Sequence, residues 1–399
     1  MSKVIPLWLL CCMTALSSCS EIIFSAALVS LANDFALSTA QAQFSSAFYY
    51  LGLTLGIVLS GRFSDLYGRR NIVLFGLSLY CISILSLLAL QNFHLLTLFR
   101  FLQGLGISCC SIIAQAIARD CYQKQELSTV YSIISVIICL LPSIFGLLGG
   151  FIVEYFSWKA NVICLASFGL ALLLLCILHL VETSSLASRR AAKQTNFGKI
   201  FITIFSDRKV IFYALMAGLS IGSLTGSLIE FPIFFINHLQ IDPSAYGMLN
   251  IYLTISMLLG VFFNMRLIAI KYNEQTIVYY ATRISFLGCL LMILSSVLLK
   301  YPGLINANLI ALVMFARMVH GIGHIMMMPH ILSMALRNYQ YVVGSASAIF
   351  NGIYYVVVTV VIFLTSCVHS KNSFLWFAIL LGVCTLSNCL LHNKIRVKA

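Results

Sequence analysis

The chain has 399 residues, of which 61% are hydrophobic and 9% charged, with 24 lysines and arginines against 11 aspartates and glutamates. A soluble globular domain carries roughly a quarter charged residues, so this composition excludes one and requires lipid as solvent. On so apolar a chain the net charge of +13 is a topology signal with an affinity for anionic lipid, not a nucleic-acid surface.

A membrane span needs about 20 apolar residues. Twelve such runs follow one another at 5–31, 42–60, 72–90, 95–118, 130–153, 160–181, 210–236, 247–268, 277–299, 306–334, 343–367 and 373–392. They must be helices, because lipid-exposed backbone has to satisfy its own hydrogen bonds. The expected fold is an all-α membrane protein of twelve transmembrane helices. Within the first run, Leu16-Ser17-Ser18-Cys19 imitates a lipoprotein cleavage box behind Lys3. Cleavage there would remove a span and upset the charge asymmetry of the loops, so the run is read as a span. The 14 cysteines are scattered through the runs, without the paired spacing of a metal site or disulfide framework. No metal and no cofactor is expected.

Between the second and third runs lies Gly61-Arg62-Phe63-Ser64-Asp65-Leu66-Tyr67-Gly68-Arg69-Arg70, a short loop rich in charge and glycine. With an even number of spans both termini share one side. The loops on that side hold eighteen basic residues; the opposite loops hold only Lys159, Lys300 and Lys371. The positive-inside rule then places both termini in the cytoplasm. The longest polar stretch, Glu182 to Lys209, contains Arg189, Arg190, Lys193, Lys199, Arg208 and Lys209. It divides the chain into an N-terminal half (1–181), a basic linker (182–209) lying on the membrane surface and a C-terminal half (210–399).

The two halves resemble each other. Span 4 contains Arg100-Phe101-Leu102-Gln103-Gly104-Leu105-Gly106 and span 10 contains Arg317-Met318-Val319-His320-Gly321-Ile322-Gly323. Both read R-x-x-[Q/H]-G-x-G at equivalent places, which argues for duplication. In transporters such repeats predict a substrate cavity between them.

A charge within a span is costly and should face a cavity or a partner. Glu21, Arg100, Glu230, Arg283 and Arg317 are the candidates. At 1.5 Å per residue, Glu21 lies roughly 21 Å from Leu7 and 15 Å from Leu31, near the midplane. A carboxylate there can exchange a proton as its surroundings change, or form a fixed pair with an arginine. Glu230, followed by Pro232, is a second candidate for a proton or a cationic substrate. Arg100 presents Gln103 and Gly104 on one helical face, as a relay or as an internal ion pair. Arg317, His320 and His324 share another face; histidines there serve either proton transfer or hydrogen-bonded filling. Arg283 can snorkel to the interface and is assigned no role.

Gly104, Gly106, Pro142, Gly146, Gly149 and Gly150 are small or kinking residues suited to close helix packing. Span 11 repeats the pattern in Gly344-Ser345-Ala346-Ser347-Ala348 and Gly352. Met326-Met327-Met328-Pro329 fits an adaptable pocket or packing around a kink. Phe48, Tyr49 and Tyr50 fit a ligand wall or the interface equally well.

The pattern G-x-x-x-D-x-x-G-R-R, filled by Gly61, Asp65, Gly68, Arg69 and Arg70, resembles the loop between helices 2 and 3 of major facilitator superfamily transporters. Nearly the whole chain looks like the bicyclomycin-resistance (Bcr/CflA) type of drug:proton antiporter. Arg100 with Gln103, Gly104 and Gly106, then Ala116-Ile117-Ala118-Arg119-Asp120, carry that resemblance. So do Gly149-Gly150 ahead of Trp158, Asn264-Met265-Arg266-Leu267, and Pro329 with Gly344–Ala348. It implies that Asp65 and Arg69 belong to an intracellular gate and Arg100 to proton coupling. Glu21 stands where the branch has an aspartate, Ser25 where a proline is expected, and Gly146 where a proline precedes the paired glycines.

The expected function is proton-coupled efflux of small amphipathic or cationic compounds, drugs or a metabolite, by a monomer in the bacterial inner membrane. The proton gradient supplies the energy; the partners are substrate, protons and lipid. Proton-coupled uptake is the alternative, and a non-transporting sensor a more distant one with no soluble domain to support it. No H-E-x-x-H sequence points to an enzyme.

Overall fold

A computed structural model describes residues 5–90, 92–122, 124–186, 189–190, 193, 197–299, 301, 307–369 and 374–396. The first six long helices are α1 (Leu7–Asp34), α2 (Thr39–Tyr67), α3 (Arg69–Ser86), α4 (Phe93–Cys121), α5 (Lys124–Tyr155) and α6 (Trp158–His179). A short helix α7 (Phe197–Ser206) precedes α8 (Arg208–Pro232). Then follow α9 (Pro243–Leu249), α10 (Ile251–Ala269), α11 (Glu274–Leu298), α12 (Ala307–Leu336), α13 (Val343–His369) and α14 (Phe374–Arg396). Counting α9 and α10 as one crossing, eleven spans among the described residues are long and apolar enough for a bilayer, and α5, with 32 residues, is the twelfth. The chain is an all-α, multi-pass membrane protein. We call the side bearing both chain ends the terminal face and the other the far face.

Three departures from the sequence expectation have local causes. The Gly61–Arg70 segment is not a loop: α2 continues to Tyr67 and α3 begins at Arg69, leaving Gly68 alone between them. Gly68 turns the chain at φ +103°, a conformation that L side chains rarely adopt. The span expected at 247–268 begins earlier, at Pro243, and is interrupted at Asn250. There the Asn250 amide bonds back to the carbonyl of Gly247 at 3.3 Å, in local competition with the helix ladder. Beyond Pro232, which has no N–H to donate, α8 widens into a π-helical turn over Ile233–His238.

Side chains close several helix starts. Ser38 and Gln41 form a reciprocal capping box before α2, Asn92 caps α4, Asp207 caps α8 and Asn273 caps α11. On the far face, Trp158 Nε1 donates to Asp34 Oδ2 at 2.6 Å, fixing the start of α6 to the end of α1. Between the halves, α7 leaves Phe201, Ile202 and Phe205 exposed.

The first buried core is built mainly from α1–α6. The C-terminal half holds two, one toward the terminal face around α8, α12 and α13, the other toward the far face around Phe231, Phe235 and Phe377. The halves meet where α2 lies along α13 and where α5 meets α9 and α10. Thr54 ties the first contact, with its hydroxyl 3.1 Å from the Tyr355 carbonyl and 2.9 Å from Thr359 Oγ1.

Small residues permit these approaches. A Cβ at Gly104 would strike the Tyr49 carbonyl of α2, and one at Gly106 the Gly76 carbonyl of α3. At Gly61, by contrast, a Cβ would lie an ordinary 3.6 Å from Ala348 Cβ. Overpacking costs about 1–3 kcal/mol. Gly104→Ala is therefore expected to lower the thermal unfolding midpoint of the purified protein in detergent, while Gly61→Ala leaves it in place. Equal midpoints for the two variants would contradict this packing.

Candidate functional site

A cavity of about 430 Å³ lies at mid-depth between the halves, within the usual range for small-molecule sites. Its wall is largely apolar and aromatic, with Tyr49 and Tyr50 from α2, Tyr252 and Leu253 from α10, and Tyr354 and Tyr355 from α13. Ser17, Ser18 and Glu21 enter from α1, and Arg317 and His324 from α12. The lining extends toward the terminal face at Thr14, Ser111 and Gln115.

Glu21 is 5% exposed and Arg100 not at all. The Arg100 guanidinium donates through Nη2 to Glu21 Oε2, and through Nη1 to Gln103 Oε1 at 2.6 Å. Gln103 Nε2 donates to Ser20 Oγ at 3.3 Å, which lies 3.2 Å from the Tyr80 hydroxyl. The ring of Phe24 sits 3.8 Å and that of Tyr49 4.6 Å from Arg100 Cζ, a cation held between π faces. The Ser46 hydroxyl also faces Glu21. Glu21 thus stands in the cavity wall, with Arg100 behind it and a polar chain leading back to α3. Gln103 belongs to that chain, behind the wall.

The C-terminal half repeats this construction with differences at two matched positions. His320, at the place of Gln103, has Nε2 3.0 Å from Ser223 Oγ, as Gln103 reaches Ser20. Gly321 abuts Ser256 of α10 as Gly104 abuts α2, and Gly323 abuts Ala281 and Ser285 of α11 as Gly106 abuts α3. With Ser20 matched to Ser223, Glu21 is matched to Leu224, an apolar residue in the same cavity wall. Arg317, the counterpart of Arg100, lies over Phe231 with its Cζ 4.4 Å from the ring. His320 is fully buried and also lies 3.5 Å from Cys289 Sγ. His324, on the cavity, bonds Ser220 Oγ at 2.7 Å.

Glu230 does not line this cavity. Six residues beyond Leu224, about 9 Å along the helix axis, it is 2% exposed and accepts a hydrogen bond from Gln43 Nε2 of α2. That bond crosses from one half to the other toward the far face. The span-5 glycines sit at the same closure: Gly150 faces the Pro243 carbonyl, Gly146 faces Asn250, and Gly149 packs on Ile23 within its own half. Glu154 Oε2 accepts from Ser244 N at 2.8 Å nearby. Pro142 falls in α5 and Gly344 and Ser345 in α13, but their side chains lie outside the described ones. Of the stripes with two readings, Tyr49 and Tyr50 face the cavity and Phe48 is exposed. Met326 and Met327 are buried in the C-terminal core.

On the terminal face, Arg69 Nη1 donates to Asp65 Oδ1 at 2.5 Å and to Ser64 Oγ at 2.7 Å, and Nε to Asp120 Oδ2 at 3.3 Å. Arg70 Nε donates to the Leu180 carbonyl at 2.7 Å. Glu182 accepts from the backbone N–H groups of Arg69 and Arg70 at 3.0 and 3.3 Å, a carboxylate at the positive end of α3. Sequence reasoning missed Glu182, because nothing in the linker distinguishes it, and also Gln43, an ordinary amide at the head of a span. The tyrosine pair of α13 carried no signal either. Arg283 reaches Asn393 at 2.8 Å and stacks on Tyr279, away from the cavity.

Two repeated half-structures around a central cavity, in a helical membrane fold, define a transporter. The chain belongs to the Major Facilitator Superfamily, whose family model matches residues 10–362. It is 35% identical over 370 residues to an uncharacterized transporter of Rickettsia bellii, covering 92% of this chain and 91% of that one. It is 26% identical over 268 residues, 67% of each chain, to a bicyclomycin resistance protein homolog of Haemophilus influenzae. A crystal structure of a mutant of the nucleoside transporter NupG superposes with a TM-score of 0.73 at 10% identity, covering 98% of this chain and 99% of that one; this similarity concerns the fold alone.

Removing one member of a buried ion pair costs about 3–5 kcal/mol, whereas replacing both is often neutral. Arg100→Met should therefore lower the unfolding midpoint further than the double variant Glu21→Gln/Arg100→Met. A double variant no more stable than the single one would count against the pair. For the far-face closure, Gly150→Leu should force α5 from α9. Spin labels on Ala36 and Gln240 are expected to show a longer distance in that variant by electron–electron resonance; an unchanged distance would mean that Gly150 is not at the closing contact.

Proposed function

We propose that the chain exports small amphipathic compounds, drugs or a metabolite, from the cytoplasm in exchange for protons. The observation that carries this reading is Glu21: a carboxylate in the wall of a mid-membrane cavity, paired to a buried arginine. Such a group is available to substrate or proton from the cavity while Arg100 holds it in place. When Glu21 is protonated, Arg100 loses its counter-charge and the Gln103–Ser20–Tyr80 chain must adjust. That couples the protonation state to the packing of α1 against α3 and α4. The drug-resistance relative supports the outward direction.

The eighteen-to-three distribution of basic residues supports a cytoplasmic terminal face in a bacterial inner membrane. On that reading the cavity lining extends cytoplasmically, and the Gln43–Glu230 bond and the α5–α9 contact close the outer side. Asp65, Arg69 and Asp120 then form a latch at the cytoplasmic ends of α2, α3 and α4, and Gly61 leaves room for α13 beside it. Rocking of one half against the other exposes the cavity alternately.

The test is proton flux in proteoliposomes under an imposed substrate gradient, with wild type beside Glu21→Gln. Export by exchange predicts protons moving opposite to substrate. Glu21→Gln is expected to abolish the proton movement, by at least tenfold against wild type, while substrate exchange without a gradient persists. Protons moving with the substrate would establish uptake instead, and coupled flux unchanged in Glu21→Gln would remove Glu21 from the mechanism.

A further inference from the structure

The charges of the cavity are unequal. On the N-terminal side the Glu21 carboxylate and the Arg100 guanidinium form an ion pair. On the C-terminal side Arg317 is 3% exposed and lines the cavity, and its Nε, Nη1 and Nη2 make no hydrogen bond within 3.5 Å to the described residues. No carboxylate lies within 4.0 Å of it among those residues. Beneath it is the Phe231 ring, and from α9 the Tyr246 side chain faces its charge. The repeat explains the imbalance: the position that holds Glu21 in the first half holds Leu224 in the second. Glu230, the acid nearest in sequence, is turned to Gln43 instead.

A guanidinium kept in such a place without a counter-charge is costly, and its planar fork matches a carboxylate in a bidentate fashion. We infer that the substrate carries an anionic group, a carboxylate in the simplest case, which docks on Arg317 beside Tyr246, with its apolar body against Tyr252, Tyr354 and Tyr355. This rests on the reading of the central cavity as the transport site. It narrows the substrate class from amphipathic compounds in general to amphipathic anions or zwitterions, and it sets cationic compounds aside.

The test uses three probes of one shape, 1-naphthylacetate, 1-naphthylacetamide and 1-naphthylmethylammonium, with binding to the purified full-length protein followed by tryptophan fluorescence. Wild type is expected to bind the acetate about tenfold more tightly than the amide, the size of a charge-assisted pair, and the ammonium most weakly. Arg317→Gln removes an unmatched charge, so it should fold, and should bind acetate and amide alike. Leu224→Glu, which supplies the missing carboxylate, should likewise erase the preference while retaining amide binding. Failure of the acetate to bind, a preference for the ammonium, a preference that survives both substitutions, or occupancy by chloride that blocks the site at equal concentration would each overturn the inference. A lost proton coupling with the acetate preference intact would instead strike only at the antiport reading, since Glu21 takes no part in that preference.

Discussion

The ion pair between Glu21 and Arg100 is the constraint around which the N-terminal half is arranged. In lipid neither charge can be left alone, so α1 and α4 must present them at one depth and hold them there. Phe24 and Tyr49 close over the guanidinium, and Gln103 accepts from its Nη1 and leads on to Ser20 and Tyr80. Gly104 and Gly106 let α4 approach α2 and α3 closely enough for that geometry. One face of the pair is the cavity wall; the other is a fully buried network. A change of charge at Glu21 is therefore felt by three neighbouring helices.

The second half shows what the same frame does without the acid. Its glycines, its serine contact and its arginine occupy matching places, but Leu224 replaces the carboxylate and Arg317 is left to an aromatic ring and the Tyr246 side chain. Of the matched positions that differ, Glu21 against Leu224 is the one that makes the repeated scaffold electrostatically unequal. Glu230, the acid of the C-terminal half that lies deep within a span, stands elsewhere. It bridges to Gln43 across the interface, close to where Gly146 and Gly150 admit α9. The two intramembrane carboxylates thus stand apart, Glu21 in the cavity wall and Glu230 at the contact between the halves.

Much of the fold was legible in the sequence because lipid imposes a simple rule: apolar runs of fixed length become helices. The breaks were not, since Asn250 and Gly68 act through a single side chain or a single backbone angle that hydropathy does not register. At the site, the repeated R-x-x-[Q/H]-G-x-G drew attention to α4 and α12, and the charges in spans marked Glu21, Arg100 and Arg317 as residues needing partners. Periodicity could not say which partner each one takes. Glu21 and Glu230 looked alike as lone acids in apolar helices, yet one lines a cavity and the other closes an interface. Hydrogen-bond partners from distant spans, such as Gln43 for Glu230 and Glu182 for the start of α3, depend on tertiary placement that no local pattern carries.

The distinction between the two acids is open to direct chemical measurement. Dicyclohexylcarbodiimide reacts with protonated carboxyl groups that it can reach from an apolar phase, and peptide mass spectrometry locates the adduct. The expected result is an adduct at Glu21 in the folded protein, more abundant once Arg100→Met has removed its partner, with Glu230 left unmodified behind its bond to Gln43. Modification at Glu230 in preference to Glu21, or a Glu21 yield indifferent to Arg100, would contradict the assignment of Glu21 as the exchangeable carboxylate of the cavity.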